Sequence, residues 1–341
     1  MKKEQTSSLD ETIVELRKKY GEGVVLTEET TPGKVETLPT GSFRLDSILG
    51  SGIPVGRIIE VFGETSGGKS TLSLFFAGQL QKQGKRIVYL DAEQAFDAVY
   101  AEKLGVDVKK LIISQTSSLE ECFDVLIAFA KTGEIDMVIV DSVASLVPMS
   151  ELEDGAIFKE TIAVQARLLS RSLRIITGIL AKSKTTVIFI NQTRTNLAQT
   201  WGNKEISSGG KALKFYSSIR LSVAKGEKIL GHGEEQIGAK LKVVAVKNKV
   251  AFPFRGCTID LYFGSGIDLV SDAFDAALDA GLIIKTGNTY ESAWASPGEV
   301  IKPKKLGVGR DQSLQALKDD EPLYLKVREE LQSLTLKSQN G

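Results

Sequence analysis

Gly63-Glu64-Thr65-Ser66-Gly67-Gly68-Lys69-Ser70 fits the pattern G-x-x-x-x-G-K-[ST] in full. The glycines permit a tight backbone nest whose N–H groups point at phosphate oxygens. Lys69 can reach the β- and γ-phosphates of a nucleotide, and the Ser70 hydroxyl can ligate Mg2+. A helix that starts here and runs on through Thr71 adds its positive dipole end. The flanks agree: the apolar run Arg57 to Phe62 reads as a strand, and Thr71 to Gln81 reads as a helix. A glycine-rich turn that fits by chance would lack that context.

Outward from the loop, runs rich in β-branched residues recur at 58–62, 87–90, 137–140 and 187–190. Helix-length segments lie between them, around 69–82, 118–131 and 160–182. Strands alternating with helices predict an α/β fold around a mostly parallel sheet with buried faces. Further strand-like runs follow at 218–223, 241–246 and 257–262. Beyond about residue 268 the pattern becomes a smaller α+β unit: a helical stretch near 270–281, then Leu282-Ile283-Ile284, and a last helix over about 321–333.

Two strand ends carry acids. Met137-Val138-Ile139-Val140-Asp141 is an apolar strand closed by a carboxylate, the second element of a phosphate-loop site, which places Asp141 near the metal, through water. Val88-Tyr89-Leu90-Asp91-Ala92-Glu93 ends in two more. The carboxyl ends of parallel strands are where ligands sit in such sheets. Glu93 there could orient a water for in-line attack on a γ-phosphate; the plainer reading is a strand-end cap.

Composition excludes other chemistries. At 341 residues the chain has room for roughly two domains. Lys+Arg and Asp+Glu balance at 43 each, so bulk charge does not hold this protein to a polyanion. One histidine, His232, between two glycines, and two distant cysteines, Cys122 and Cys257, cannot build a four-ligand zinc site. Two lone cysteines fit a reducing compartment. With neither an apolar signal core nor a membrane span, the expectation is a soluble, cytoplasmic protein.

The neutral total hides a local excess. From Lys159 to Arg220 eleven basic residues face only Glu160 and Glu205, a net +9. For 171–184 alone a solvated helix face explains the charge. Thr193 to Gly210 is different: a long, polar, glycine-containing loop that holds Arg194, Leu197, Trp201 and Lys204. Basic groups can track phosphates there, while an apolar or aromatic side chain wedges between bases. At the other end, Leu9, Ile13, Leu16 and Tyr20 give residues 8–20 one apolar helical stripe, before a polar linker, Thr27 to Gly33. That stripe must dock on its own domain or on a neighbouring copy.

These segments together resemble the bacterial RecA recombinases from about Leu16 to Gln332. The likeness rests on an ordered set: Leu38-Pro39-Thr40-Gly41-Ser42 with Leu45-Asp46, Asp91-Ala92-Glu93 through Asp97 and Tyr100, and Lys103-Leu104-Gly105-Val106-Asp107. Then come Asp141-Ser142-Val143-Ala144, Phe189-Ile190-Asn191-Gln192, Gly209-Gly210-Lys211-Ala212-Leu213-Lys214-Phe215-Tyr216 and Val246-Lys247-Asn248-Lys249. The resemblance implies a catalytic Glu93, with Asp97 and Tyr100 on the adenine and Gln192 sensing the γ-phosphate. It implies that Lys247 and Lys249 reach ATP across a subunit boundary and that Phe215 couples neighbouring sites. It makes the N-terminal helix, within residues 1–33, an element that packs on the next protomer. Residues 34–267 become the ATPase core and 268–341 a small C-terminal domain.

By the same resemblance, residues around 154–163 and 193–210 are two DNA-binding loops. Arg167, Arg174, Arg194, Leu197, Trp201, Gly209, Gly210 and Lys211 are then the candidate DNA contacts. Both loops depart from the usual form: Ile162 replaces a common methionine, Trp201 a phenylalanine and Lys204 a proline. Leu331 to Gly341 carries no carboxylate, where family members commonly end in an acidic tail. The implied function is an ATP- and Mg2+-dependent recombinase that forms helical filaments on single-stranded DNA. It would pair that strand with homologous double-stranded DNA and exchange strands in recombinational repair. A LexA-type repressor is a further partner of such filaments. The alternative is a DNA motor or regulatory ATPase on the same core, without strand exchange.

Overall fold

The strands that flank the phosphate loop are buried on both sides, which is why they read as unbroken apolar runs rather than alternating ones. The computed structural model describes residues 8–21, 24–25, 35–154, 162–195, 205–207, 211–231, 233–293 and 304–340. It divides into two units, residues 1–36 and 37–341. In the first, α1 (Ser8–Tyr20) covers the span that the apolar stripe predicts. Asp10 and Glu11 lie in its first turn and Arg17, Lys18 and Lys19 in its last, the order the helix dipole favours. The Arg17 guanidinium donates to the Val25 carbonyl at 3.1 and 3.0 Å.

The second unit opens with β1 (Thr37–Leu38), α2 (Phe43–Leu49) and β2 (Ile53–Pro54). The first half of the large sheet follows: β3 (Ile58–Gly63), α3 (Lys69–Lys82), β4 (Ile87–Asp91), α4 (Ala98–Lys103), β5 (Ile112–Gln115), α5 (Leu119–Lys131) and β6 (Met137–Asp141). Next come α6 (Met149–Asp154), α7 (Ile162–Ser183), β7 (Thr186–Thr195), β8 (Glu205–Ser207) and α8 (Ala212–Tyr216). The sheet is completed by β9 (Ile219–Leu230), β10 (Gln236–Asn248), β11 (Arg255–Tyr262) and β12 (Gly266–Ile267). Last are α9 (Leu269–Asp279), β13 (Ile283–Thr286), β14 (Thr289–Ser292), β15 (Lys305–Val308), α10 (Arg310–Asp319) and α11 (Glu321–Asn340).

Strand order in the large sheet is β12-β11-β10-β9-β3-β7-β6-β4-β5, with β8 beside β7. From β9 through β5 the neighbours are parallel, and β10 to β12 extend the sheet antiparallel. Side-chain alternation sends Ile87, Tyr89, Met137 and Ile139 to one face, where Leu72, Phe75, Phe76 and Leu80 of α3 cover them. Val88, Leu90, Val138 and Val140 go to the other, beneath Phe123 and Leu126 of α5 and Leu169, Leu173 and Leu180 of α7. Strands β3, β4, β6 and β7 therefore bring their carboxyl ends, and the residues just past them, to one edge.

Three features go beyond the sequence reading. β9 and β10 run on as a hairpin past residue 223, where Lys225, Glu227 and Lys228 are exposed and the apolar signal has ended. Short α2, α4 and β5 carry too little periodicity to stand out. At the C-terminus the single apolar triplet is one strand of a three-stranded antiparallel sheet, β13-β14-β15. Gly287-Asn288 forms the two-residue turn between Thr286 and Thr289, a hairpin signal present in the sequence. With α9, α10 and α11 this sheet encloses its own cluster around Phe274, Tyr290, Leu317 and Val327. The buried Asp272 carboxylate joins that cluster to the core: Ser42 donates its hydroxyl at 2.7 Å and Phe43 its N–H at 2.7 Å. Among the described residues no helix is long and apolar enough to cross a membrane.

Candidate nucleotide site and DNA-facing surface

The turn from β3 into α3 is possible only with glycine at its tightest points. A Cβ on Gly63 would collide with the Val223 carbonyl of β9, and Gly68, at φ +94°, would press on Leu241 of β10. Ser66, also left-handed at φ +60°, precedes Gly67 and helps turn successive N–H groups inward. The Lys69 ammonium folds back over the loop and donates to the Glu64 carbonyl at 2.7 Å. Burial pulls that ammonium below its ordinary value, against the raising effect of the Asp141 and Glu93 charges.

Asp141 ends β6 beside Asp91 of β4. Its Oδ2 accepts the Tyr89 hydroxyl at 2.6 Å, and the Ser70 side chain lies beside the same carboxylate. Burial pushes the Asp141 carboxyl upward, and the hydrogen bonds from Ser70 and Tyr89 oppose it. The paired oxygens of Ser70 and Asp141 suit a hard cation that completes its shell with phosphate and water. Among the described residues no cluster of three or more His, Cys, Asp or Glu could hold a metal by itself. A site of one hydroxyl and one carboxylate fits Mg2+ bound with its nucleotide.

The two acids at the end of the Val88–Glu93 run have separate tasks. Asp91 is buried, and its two oxygens accept the N–H groups of Ala95 and Phe96 at 3.1 Å each, so Asp91 is the strand-end cap. Glu93 is exposed. Its Oε1 accepts Ser142 Oγ at 2.5 Å, Gln192 Nε2 at 3.0 Å and Ser145 Oγ at 3.4 Å. The Ala92 and Glu93 N–H groups both donate to the Asp141 carbonyl, at 2.8 and 3.2 Å, which fixes Glu93 to the end of β6. Nothing in the sequence alone singles out Ser142 or Ser145 as partners of Glu93.

One cavity of about 220 Å3 runs from Ser66 through Thr71 of the loop to Tyr100, Lys225, Leu261 and Phe263. Asp97 caps α4 by accepting the Tyr100 N–H at 3.0 Å, and the Tyr100 hydroxyl shares a 2.7 Å bond with Thr71. Lys225 and Phe263 are additions to the sequence reading; the Lys225 ammonium stands 5.3 Å from the Phe263 ring centroid. Lys247 and Lys249 are not in this cavity. Lys247 instead donates to the Lys214 and Phe215 carbonyls at the end of α8, at 2.7 and 3.0 Å. Phe215 itself is 67 % exposed.

On α7, Arg167, Arg171 and Arg174 project on one face, at i, i+4 and i+7. With Ser170 and Tyr216 they line a cavity of about 370 Å3. Among the described residues no carboxylate pairs with any of the three. Arg171, read from sequence as part of a solvated face, therefore belongs to the same row as the two candidate DNA contacts. The described ends of the 193–210 segment pair as an antiparallel ribbon, Thr193 to Thr195 against Glu205 to Ser207, where a plain loop is expected. Arg194 lies on that ribbon and Lys211 just before α8. Leu197, Trp201, Lys204, Gly209, Gly210, most of 154–163, His232 and the 27–33 linker lie outside the described residues.

A phosphate loop at the carboxyl edge of a parallel sheet, with a buried lysine, a strand-end acid and a hydrogen-bonded glutamate beside it, defines a P-loop nucleoside triphosphatase. Within that class, the family model described as the RecA N-terminal domain matches residues 7–268. The chain is 41 % identical to Protein RecA of Thermus thermophilus over 330 residues, 96 % of this chain and 94 % of that one. To Protein RecA of Bacillus subtilis it is 39 % identical over 330 residues, 96 % and 92 % of the two chains. The solved structure of the RadB recombinase shares the fold, with a TM-score of 0.50 at 24 % identity over 68 % of this chain and 98 % of that one. The chain belongs to the RecA family: it is a recombinase and a DNA-dependent ATPase of DNA recombination and repair, with DNA and further copies of itself as partners.

Proposed function

We propose that hydrolysis and DNA binding are coupled in this recombinase through Gln192, and the observation that carries the reading is its bond to Glu93. Gln192 lies on β7, three residues before the end of that strand and next to the ribbon of the second DNA-binding segment. Glu93 is the base that orients the attacking water, since its Oε2 accepts no hydrogen bond among the described residues. The loop from Gly63 through Thr71 holds the phosphates of ATP, with Lys69 on the β- and γ-groups. Ser70 and, through water, Asp141 would hold Mg2+, which would supply positive charge against the developing charge on the phosphates. Asp97 and Tyr100 receive the adenine. A change at the γ-phosphate then moves Gln192 and the DNA segment with it.

Lys247 and Lys249 reach the nucleotide of the next protomer. The bond of Lys247 to the carbonyls of α8 supports this reading, because it ties that lysine to the helix that presents Phe215. Residues 1–33 supply the helix for the adjoining subunit, 34–267 the ATPase core and 268–341 a C-terminal domain. The segments 154–163 and 193–210, with Arg167, Arg174, Arg194, Leu197, Trp201, Gly209, Gly210 and Lys211, hold single-stranded DNA and the incoming duplex in the cytoplasm. Repressor cleavage in the presence of filaments measures the LexA-type partner. The test of the whole is ATP hydrolysis with and without single-stranded DNA, joined to electron microscopy of the filaments. Lys69→Ala should abolish turnover and joint-molecule formation; strand exchange that survives the substitution overturns the mechanism.

A further inference from the structure

Among the described residues, Tyr89 is the one aromatic side chain whose polar atom is directed at the acid beside the phosphate loop. It is 3 % exposed, in the middle of β4, and faces α3 together with Asp91 of its own strand and Asp141 of β6. The parallel register sets Tyr89 against Ile139, so the ring leans along the strands to bring its hydroxyl to Asp141 Oδ2, at 2.6 Å. An O–H to carboxylate bond of that length lies in the short, charge-assisted range. Packing does not require the hydroxyl. The ring meets Phe96 at 5.1 Å between centroids and 60° between planes, an arrangement that phenylalanine would make equally well. A buried hydroxyl is a cost unless it is bonded, and here its partner is the carboxylate on the metal side.

We propose that Tyr89 is a positioning residue for the nucleotide-bound divalent cation: its hydroxyl occupies Asp141 Oδ2 and fixes the carboxylate at the end of β6, beside the phosphate loop where the cation would be held. The proposal rests on the reading of Asp141 as the metal-side carboxylate. Asp141 is held by Tyr89 from within the sheet, and Ser70 of the loop lies beside the same carboxylate. Without the phenol, Oδ2 would lose the hydroxyl that holds it, and the carboxylate could rotate about its last torsion toward Lys69, whose ammonium it already attracts. Outer partners of metal-binding groups act in this way, by orienting the group that touches the ion or its waters.

The test is Mn2+ binding followed by electron paramagnetic resonance, with the full chain and a non-hydrolysable ATP analogue. Tyr89→Phe should weaken Mn2+ on the order of tenfold, leave analogue binding in EDTA unchanged, and keep the melting temperature near that of the parent. Asp141→Asn should weaken Mn2+ at least as much, and the double substitution should add no further loss, as expected of two groups acting through one bond. If Asp141→Asn loses Mn2+ affinity while Tyr89→Phe keeps it, the proposal fails and the role of Asp141 stands. If Asp141→Asn also keeps it, the underlying reading of Asp141 fails and the proposal with it. Loss of analogue binding in EDTA by Tyr89→Phe would assign the hydroxyl a structural role and overturn the proposal.

Discussion

The nucleotide site and the arginine row of α7, the surface proposed for DNA, are built in opposite ways. At the nucleotide site the charged side chains are already engaged: Lys69 on Glu64, Asp141 on Tyr89 and Ser70, Asp91 on a turn, Glu93 on Ser142 and Gln192. On α7, Arg167, Arg171 and Arg174 face outward and pair with no carboxylate among the described residues. The difference fits what each surface is proposed to meet. A phosphoryl transfer needs a few groups held in fixed geometry before the substrate arrives. A polyanion of any sequence needs accessible charge and little directional bonding, because its phosphates repeat and its bases are read by pairing.

If the contrast is right, damage at the two surfaces should separate. The largest effect belongs to Glu93→Gln, which keeps the shape and the bonds to Ser142 and Gln192 but removes the carboxylate proposed as the base. ATP turnover should fall by about 10²- to 10⁴-fold, with filaments on DNA still forming in the presence of ATP. Single-turnover hydrolysis beside a DNA-binding isotherm measures both; a fall in DNA affinity equal to the fall in turnover breaks the separation.

On the arginine row the effect is smaller and of another kind. Arg171→Ala should leave basal hydrolysis unchanged and lower the steepness of the salt dependence of single-stranded DNA affinity by about 0.7 for each phosphate that is no longer neutralised. Arg167→Ala and Arg174→Ala should do the same. A salt slope equal to that of the parent protein for Arg171→Ala would return that residue to the solvated helix face that its sequence context suggests.

The same contrast explains what could be read without coordinates. The phosphate loop is legible because its chemistry is local: glycines at forced turns, a lysine and a hydroxyl at fixed spacing, between a buried strand and a helix. The helices and parallel strands of the core follow from periodicity over long segments. Glu93 is legible as one of two acids, but only the hydrogen bonds separate its role from that of Asp91. Tyr89, Ser142 and Phe263 were not legible, since each acts through a partner from a different strand, and register across a sheet leaves no mark within one segment. Arg171 is a different case, since its spacing from Arg167 and Arg174 is written in the sequence. What the structure adds is that all three are exposed on one face, with no carboxylate paired to them among the described residues.

The joint between the core and the C-terminal cluster shows a third kind of charge, one that is buried and titrates within reach of neutral pH. Burial pushes Asp272 up to about 6 from an ordinary 3.8, against the hydrogen bonds from Ser42 and Phe43. Between those values the folded protein holds a proton that the unfolded chain has released. Stability from this group is therefore present at low pH and falls as pH rises through about 6. Asp46, also pushed up to about 6 by burial, stays in parent and variant alike and cancels in their difference. Asp272→Asn keeps an acceptor for Phe43 and loses the titration. The gap in melting temperature, parent minus Asp272→Asn, should then grow in favour of the parent as pH is lowered from 7 to 5. A gap that stays constant over that range would mean that Asp272 keeps an ordinary carboxylate pKa, and that the joint relaxes enough to hydrate it. This is the smallest of the expected effects and the most local, since neither the nucleotide cleft nor the arginine row takes part in it.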